Sequence, residues 1–310
     1  SAVKPIEPVF LDYQKDMSQL KAKSDIPILY KQNVANDLFQ LIYVFDMGNN
    51  HDKALGTAFD YLEYLGTSDM TPEELKSEFY RLACTFYVSP GNERTYVVLS
   101  GLNENMPAAV QLFEKLLADA QVNKEAYTNM TSDILKARSD AKLNQGQNFS
   151  RLMSFAMYGP KSPATNLLTE AELTNMNPQE LVDRIHNQNS YKHRILYYGP
   201  SSSKDLLATI NQYHQVPAAL KDIPAGNEYS YLETPVTKVL VAPYDAKQIY
   251  MAQISNLDKK YDPAIEPIRA LYDEYFGGGM NSIVFQEMRE TRGLAYSAWA
   301  SIMPPSYRSE

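Results

Sequence analysis

The sequence predicts an α+β protein of two tandem related domains, each an antiparallel-dominated sheet packed against helices, the second incomplete. Three observations carry this. Short β-branched and aromatic runs come first and amphipathic helical periods follow. The same order of elements begins again after a Pro- and Gly-bearing stretch, Val216 to Pro235. Finally, Asp60-Tyr-Leu-Glu-Tyr-Leu-Gly66 and Leu271-Tyr-Asp-Glu-Tyr-Phe-Gly277 share four positions at a constant offset of 211 residues, each closing a helix that follows two strands.

Asp25 to Lys31 and Leu38 to Phe45 read as strands. Leu55, Ala58, Phe59, Leu62 and Leu65 then fall on one helical face, which Gly66 ends. Thr71-Pro-Glu-Glu74 is a capping box with proline at the first helical position, and it opens a helix to about Ala83. A hairpin follows, Thr85–Val88 and Thr95–Leu99 around Pro90-Gly91-Asn92. Pro107 to Ala120 is a helix. Lys124 to Tyr158 reads as a long helix or helix pair with Gly146 as its weak point. Leu173 to His186 is a shorter helix that includes Pro178, Arg194 to Tyr198 a strand, and Ser203 to Tyr213 a helix. In the second copy, Thr237–Ala242, Gln248–Ile254 and Gly293–Ile302 read as strands, and Pro263–Phe276 and Asn281–Thr291 as helices. The resulting domain expectation is an extension at 1–19, a complete domain at 20–215, a linker at 216–235 and an unfinished domain at 236–310. The first copy runs on well past the point that corresponds to Glu310, so a partner segment or chain is expected to complete the second.

Composition narrows the function classes. The net charge of −8 argues against a general nucleic-acid binder, which needs cations to displace counterions from phosphate. The single cysteine, Cys84, rules out a disulfide within the chain and a thiolate zinc site. No apolar run reaches the length that spans a bilayer. Ser1 to Pro8 has no signal-peptide pattern, and a mature or excised chain would look the same. The compartment, periplasmic or cytoplasmic, stays open. His51, His186, His193 and His214 include no i,i+4 pair; His186 and His193 are expected to act as a cap and a surface residue. Asp60 and Glu63 are expected on the solvent side of their helix.

The stretch with the most chemistry is Phe276-Gly-Gly-Gly-Met-Asn-Ser-Ile-Val-Phe-Gln-Glu-Met-Arg-Glu-Thr-Arg-Gly-Leu-Ala-Tyr296. Gly277, Gly278 and Gly279 permit a tight reversal and close backbone approach. Arg289 on the short helix and Tyr296 on the following strand offer a guanidinium and a phenol, donors suited to a peptide carbonyl or an oxyanion. No P-loop lysine follows the glycines. On residue type alone, a helix arginine is solvated and a strand tyrosine half-packed; Arg292, nearer to Tyr296, competes as the pairing residue.

As a whole this stretch resembles the signature of the insulinase/pitrilysin (M16) zinc metallopeptidases. The resemblance implies two halves of paired α/β domains closing on a peptide. The amino-terminal half would carry zinc on an inverted His-x-x-Glu-His motif. The carboxyl-terminal half would supply an arginine and a tyrosine to the substrate, here Arg289 and Tyr296, with Gly277 to Gly279 beside the peptide. In the first helix the His, Glu and His positions become Thr57, Asp60 and Tyr61, counted back from Gly66-Thr67. Thr57 and Tyr61 cannot replace imidazole, so no metal is expected in this chain and zinc only in the complete enzyme. The partners implied are a peptide substrate and a zinc-bearing half or subunit. The expected function is the non-catalytic carboxyl-terminal half of such an endopeptidase; the alternative is a catalytically dead scaffold or partner subunit of a processing peptidase.

Overall fold

The computed structural model describes residue 10 and residues 12–256 and 262–304. They divide into two compact units, one drawn from 1–232 and 239–253, the other from 233–238 and 254–310.

The first unit is a six-stranded sheet backed by helices. Its strands are β1 (Ser18–Lys21), β2 (Pro27–Gln32), β3 (Leu38–Phe45), β4 (Cys84–Pro90), β5 (Thr95–Leu102) and β6 (Arg194–Gly199). Their order is β1-β2-β6-β3-β5-β4, with β2 and β6 parallel and every other pair antiparallel. β6 arrives late in the chain and inserts between β2 and β3, which ties both ends of the unit together. The alternation in β3 has a simple cause: Phe39, Leu41, Tyr43 and Phe45 share one face and all are buried.

The helices are α1 (Leu55–Leu62), α2 (Pro72–Arg81), α3 (Met106–Asp119), α4 (Lys124–Ala141), α5 (Gln145–Tyr158), α6 (Glu170–Asn175), α7 (Gln179–Asn187) and α8 (Ser203–Tyr213). α1 buries Leu55, Ala58, Phe59 and Leu62; α3 buries Val110, Phe113 and Leu117. Each of the Leu, Phe and Val side chains among these contributes roughly 1.5–3 kcal/mol by leaving water. The Thr71 box is formed: its hydroxyl accepts from Glu74 N at 3.2 Å, and Glu74 accepts from Thr71 N at 2.8 Å.

Three expectations need correction here. The break in the long helical stretch falls at Lys142–Asn144, before Gly146. Asn144 caps α5 by accepting from Gln147 N, and Gly146 sits in the first turn, where backbone amides lack intrahelical partners anyway. The segment around Pro178 is two helices, because proline has no N–H to continue α6. Most consequentially, residues 237–242, 248–254 and 293–302 form no strands. Their composition suits a sheet, but a strand exists only against a partner, and no ladder reaches them among the described residues. Part of this stretch lies along α5 instead: Gln145 Nε2 donates to Gln248 O at 2.7 Å, and the Phe149 and Tyr250 rings meet edge-on at 5.5 Å.

The second unit holds α9 (Glu266–Phe276) and the single turn α10 (Ile283–Phe285), which runs into a π-helical turn at Gln286–Thr291. α1 begins at Leu55 and α9 at Glu266, so the 211-residue offset of the sequence echo also relates their starts. No helix among the described residues is long and apolar enough to cross a membrane.

Candidate functional site

The glycine run ends α9. Gly277 and Gly278 both donate their N–H groups to the Asp273 carbonyl, at 2.9 and 2.7 Å. Gly279 turns the chain with φ of 74°. Gly277 allows a closer approach than any other residue would: a Cβ there would lie 1.9 Å from Ala300 O. Gly277→Ala should therefore detach the 300 region at a cost on the order of 1–3 kcal/mol. Fluorescence anisotropy of Trp299, the one tryptophan, should fall; an unchanged value would contradict the contact.

Ser282 then starts α10 by accepting from Phe285 N. The π-helical turn that follows widens the helix under Arg289, a distortion that recurs at functional sites. Its end is closed by Gly293 at φ of 59°, with Gly293 N–H bonded to Arg289 O at 3.0 Å and Leu294 N–H to Met288 O at 2.8 Å. This geometry brings Arg289 and Tyr296 together. The guanidinium carbon lies 4.7 Å from the Tyr296 ring centre and 4.8 Å from that of Phe285. Such contacts engage the charge of the cation and do not consume its N–H donors. Glu290 lies 3.6 Å from Arg289 Nε. Tyr296 is 85% exposed, so its hydroxyl is open to a ligand. Arg292 pairs with Glu287 at 3.4 Å, which leaves Arg289 as the arginine on the tyrosine.

The metal positions on α1 have other uses. Tyr61 is buried, donating its hydroxyl to Asn123 O at 2.6 Å and accepting from Asn123 N at 2.9 Å. Thr57 is half-buried and Asp60 exposed. Local desolvation, followed by the Glu63 carboxylate, raises the Asp60 carboxyl above its ordinary range even though the residue reaches water. A phenol already bonded to backbone at both ends does not fit a zinc site. No group of three His, Cys, Asp or Glu side chains disposed to hold a metal occurs among the described residues.

A second polar cluster escaped the sequence reading. His193, expected at the surface, is buried, and so are His214 and Glu114. His214 Nδ1 lies 2.7 Å from Glu114 Oε1, and the two imidazole Nε2 atoms are 2.8 Å apart. Glu114 Oε2 also accepts from Asn189 Nδ2 at 2.9 Å and from Gln215 N at 3.0 Å. Burial, then the neighbouring His214, pushes His193 down to about 4. Burial, then the charge of Glu114 and the hydrogen bond to it, raises the Tyr43 phenol well above its ordinary value. His186, expected as a cap, donates from Nε2 to the carbonyl of Ala120, the C-cap residue of α3, at 3.1 Å.

No family model matches the chain. An uncharacterized zinc protease of Rickettsia felis is 20% identical over 263 residues, 80% of this chain and 60% of the relative, so the chain spans about 60% of that protein's length. Among solved structures, the peptidase M16 inactive domain of Pseudomonas fluorescens matches with a TM-score of 0.68 at 16% identity, covering 93% of this chain and 71% of that one. A protease from Helicobacter pylori matches with a TM-score of 0.63 at 11% identity over 93% and 71%. The periplasmic protease PqqL from Escherichia coli gives 0.61 at 14% over 70% of this chain and 25% of its own.

Proposed function

On the premise that this chain has the M16 peptidase fold, we propose that it is the zinc-free, non-catalytic half of a zinc metalloendopeptidase. It encloses a peptide and presents Arg289 and Tyr296 to it. On this reading residues 20–215 are an M16-like domain without the zinc motif, 216–235 a linker, and 236–310 part of a second such domain. The observation that carries the reading is the Arg289 guanidinium 4.7 Å over the Tyr296 ring, directly after the glycine reversal.

The chemistry of the two side chains follows from their donors. The guanidinium offers N–H groups in a fixed plane, and the phenol offers one O–H. Placed at the oxygen of a scissile carbonyl, they stabilise charge that grows as the carbonyl carbon becomes tetrahedral. The ring contact restrains Arg289 before substrate arrives, so less side-chain entropy is lost on binding. Zinc, held on another segment, supplies the activated water. Gly277 to Gly279 let the peptide backbone come close to this corner.

The isolated chain, assayed on a fluorogenic peptide with and without added zinc, is expected to be inactive. Mixing it with a zinc-bearing half that contains His-x-x-Glu-His is expected to raise hydrolysis above that of the zinc half alone. Hydrolysis by the isolated chain would overturn the reading. A zinc half whose rate this chain does not change would favour the scaffold reading, which the likeness to an inactive M16 domain also supports.

A further inference from the structure

We propose that Glu114, His214 and His193 form a one-proton latch that holds the segment after α8 against the sheet and α3, and frees it on taking up a second proton. The hydrogen-bond directions carry the argument. The Tyr191 carbonyl only accepts, so His193 must place its proton on Nδ1, 2.7 Å from that oxygen. His193 Nε2 is then an acceptor, and the Nε2 of His214 at 2.8 Å must donate to it. Glu114 accepts from Asn189, from Gln215 N–H and from the Tyr43 hydroxyl, so its oxygens are occupied as acceptors. His214 Nδ1 therefore donates as well, at 2.7 Å. The result is a buried imidazolium between a carboxylate and a neutral imidazole, neutral as a whole.

A second proton has no site without breakage. On His193 Nε2 it would set two N–H groups against each other across 2.8 Å and bury an uncompensated charge. Among the described residues, Glu114 is the acidic side chain hydrogen-bonded to the rings. Tyr43 and Phe45 face them from β3 and Glu114 from α3, and Asn189, in the turn after α7, donates to Glu114. The charges flanking His193 are spent outward, Lys192 on Asp222 and Arg194 on Asp46.

The part that yields is set by burial. α3 and β6 are anchored by Phe113, Leu117, Ile195 and Tyr197. Residues 215–222 are exposed or half-buried. That segment is held by Gln215 N–H on Glu114, Lys221 N–H on Ser190 O at 2.8 Å, and Lys192 N–H on Lys221 O at 2.9 Å. The low affinity of His193 for a proton places the release in mild to moderate acid, below the ordinary histidine range.

Amide hydrogen exchange on the full chain, corrected for intrinsic rates, tests this. Between pH 7 and pH 4.5 the protection of residues 215–222 should fall about tenfold or more, while β3 and β5 stay protected. His193→Gln, which cannot titrate, should abolish that pH dependence. Equal protection at both pH values, or an unaltered response in the variant, would overturn the latch. Should the variant not fold, nitrogen NMR of the wild-type imidazoles at pH 7 decides. His193 protonated on Nδ1 alone with His214 protonated on both nitrogens supports the latch, and a singly protonated His214 overturns it.

Discussion

Glu114→Ala is expected to destabilise the first unit by about 3–5 kcal/mol, because it removes one partner of a buried ion pair and strands the other. His214 would lose its counter-ion, and Asn189, Gln215 N–H and Tyr43 would lose an acceptor in the same place. Urea unfolding followed by far-ultraviolet circular dichroism measures the loss. A change below about 1 kcal/mol would mean that Glu114 and His214 do not form an ion pair. The same centre makes stability depend on pH. His193 titrates near 6.5 when unfolded and at about 4 when folded, so the unfolded chain binds the extra proton first. Its contribution, about 3 kcal/mol by linkage, is complete above pH 6.5 and is lost as pH falls toward 4.

Arg289→Ala is expected to lower kcat of the assembled peptidase about 10²–10³-fold, the usual loss for an oxyanion donor. Tyr296→Phe keeps the ring under the guanidinium and removes only the hydroxyl, so it should cost less. The effect belongs in kcat more than in KM, since the charge these donors meet grows only in the transition state. Arg289→Lys should not restore the rate, because an ammonium lacks the planar fork. None of these changes should alter the unfolding free energy by more than about 0.5 kcal/mol, since Tyr296 is exposed and the Arg289–Glu290 contact at 3.6 Å is near the surface. A large stability loss with unchanged turnover would assign the pair to structure instead.

Local order was readable wherever a short-range pattern decides it. The strand Leu38–Phe45 and the helix Ser203–Tyr213 keep the bounds that their periods predict. The cap at Thr71 is a four-residue motif and forms as written. What depends on partners was not readable. β1 has only one side chain even half-buried in four residues, so no alternation marks it. The insertion of β6 between β2 and β3 is a tertiary choice. Residues 237–242 and 293–302 have strand composition and no ladder, since β-propensity reports fit to a sheet that must already exist.

The site divides the same way. The contact between Arg289 and Tyr296 was legible through the motif, which spaces them so that a π-helical turn and Gly293 bring them together. The buried latch was missed because His193 and His214 lie far apart in the chain and at element ends, where histidines are usually solvated. One signal was present: Glu114 interrupts the stripe Val110, Phe113, Leu117 on α3. A carboxylate on an apolar face demands a buried partner.

The central claim, that this zinc-free half reaches into a zinc site through Arg289, is tested most directly by chemical rescue. The chain carrying Arg289→Ala is assembled with a zinc-bearing half, and single-turnover peptide hydrolysis is followed as free guanidinium is added. The rate should first fall by the factor given above and then recover in a saturable way with guanidinium, without recovery when Tyr296→Phe is the variant. A rate equal to wild type before any guanidinium is added would contradict the claim.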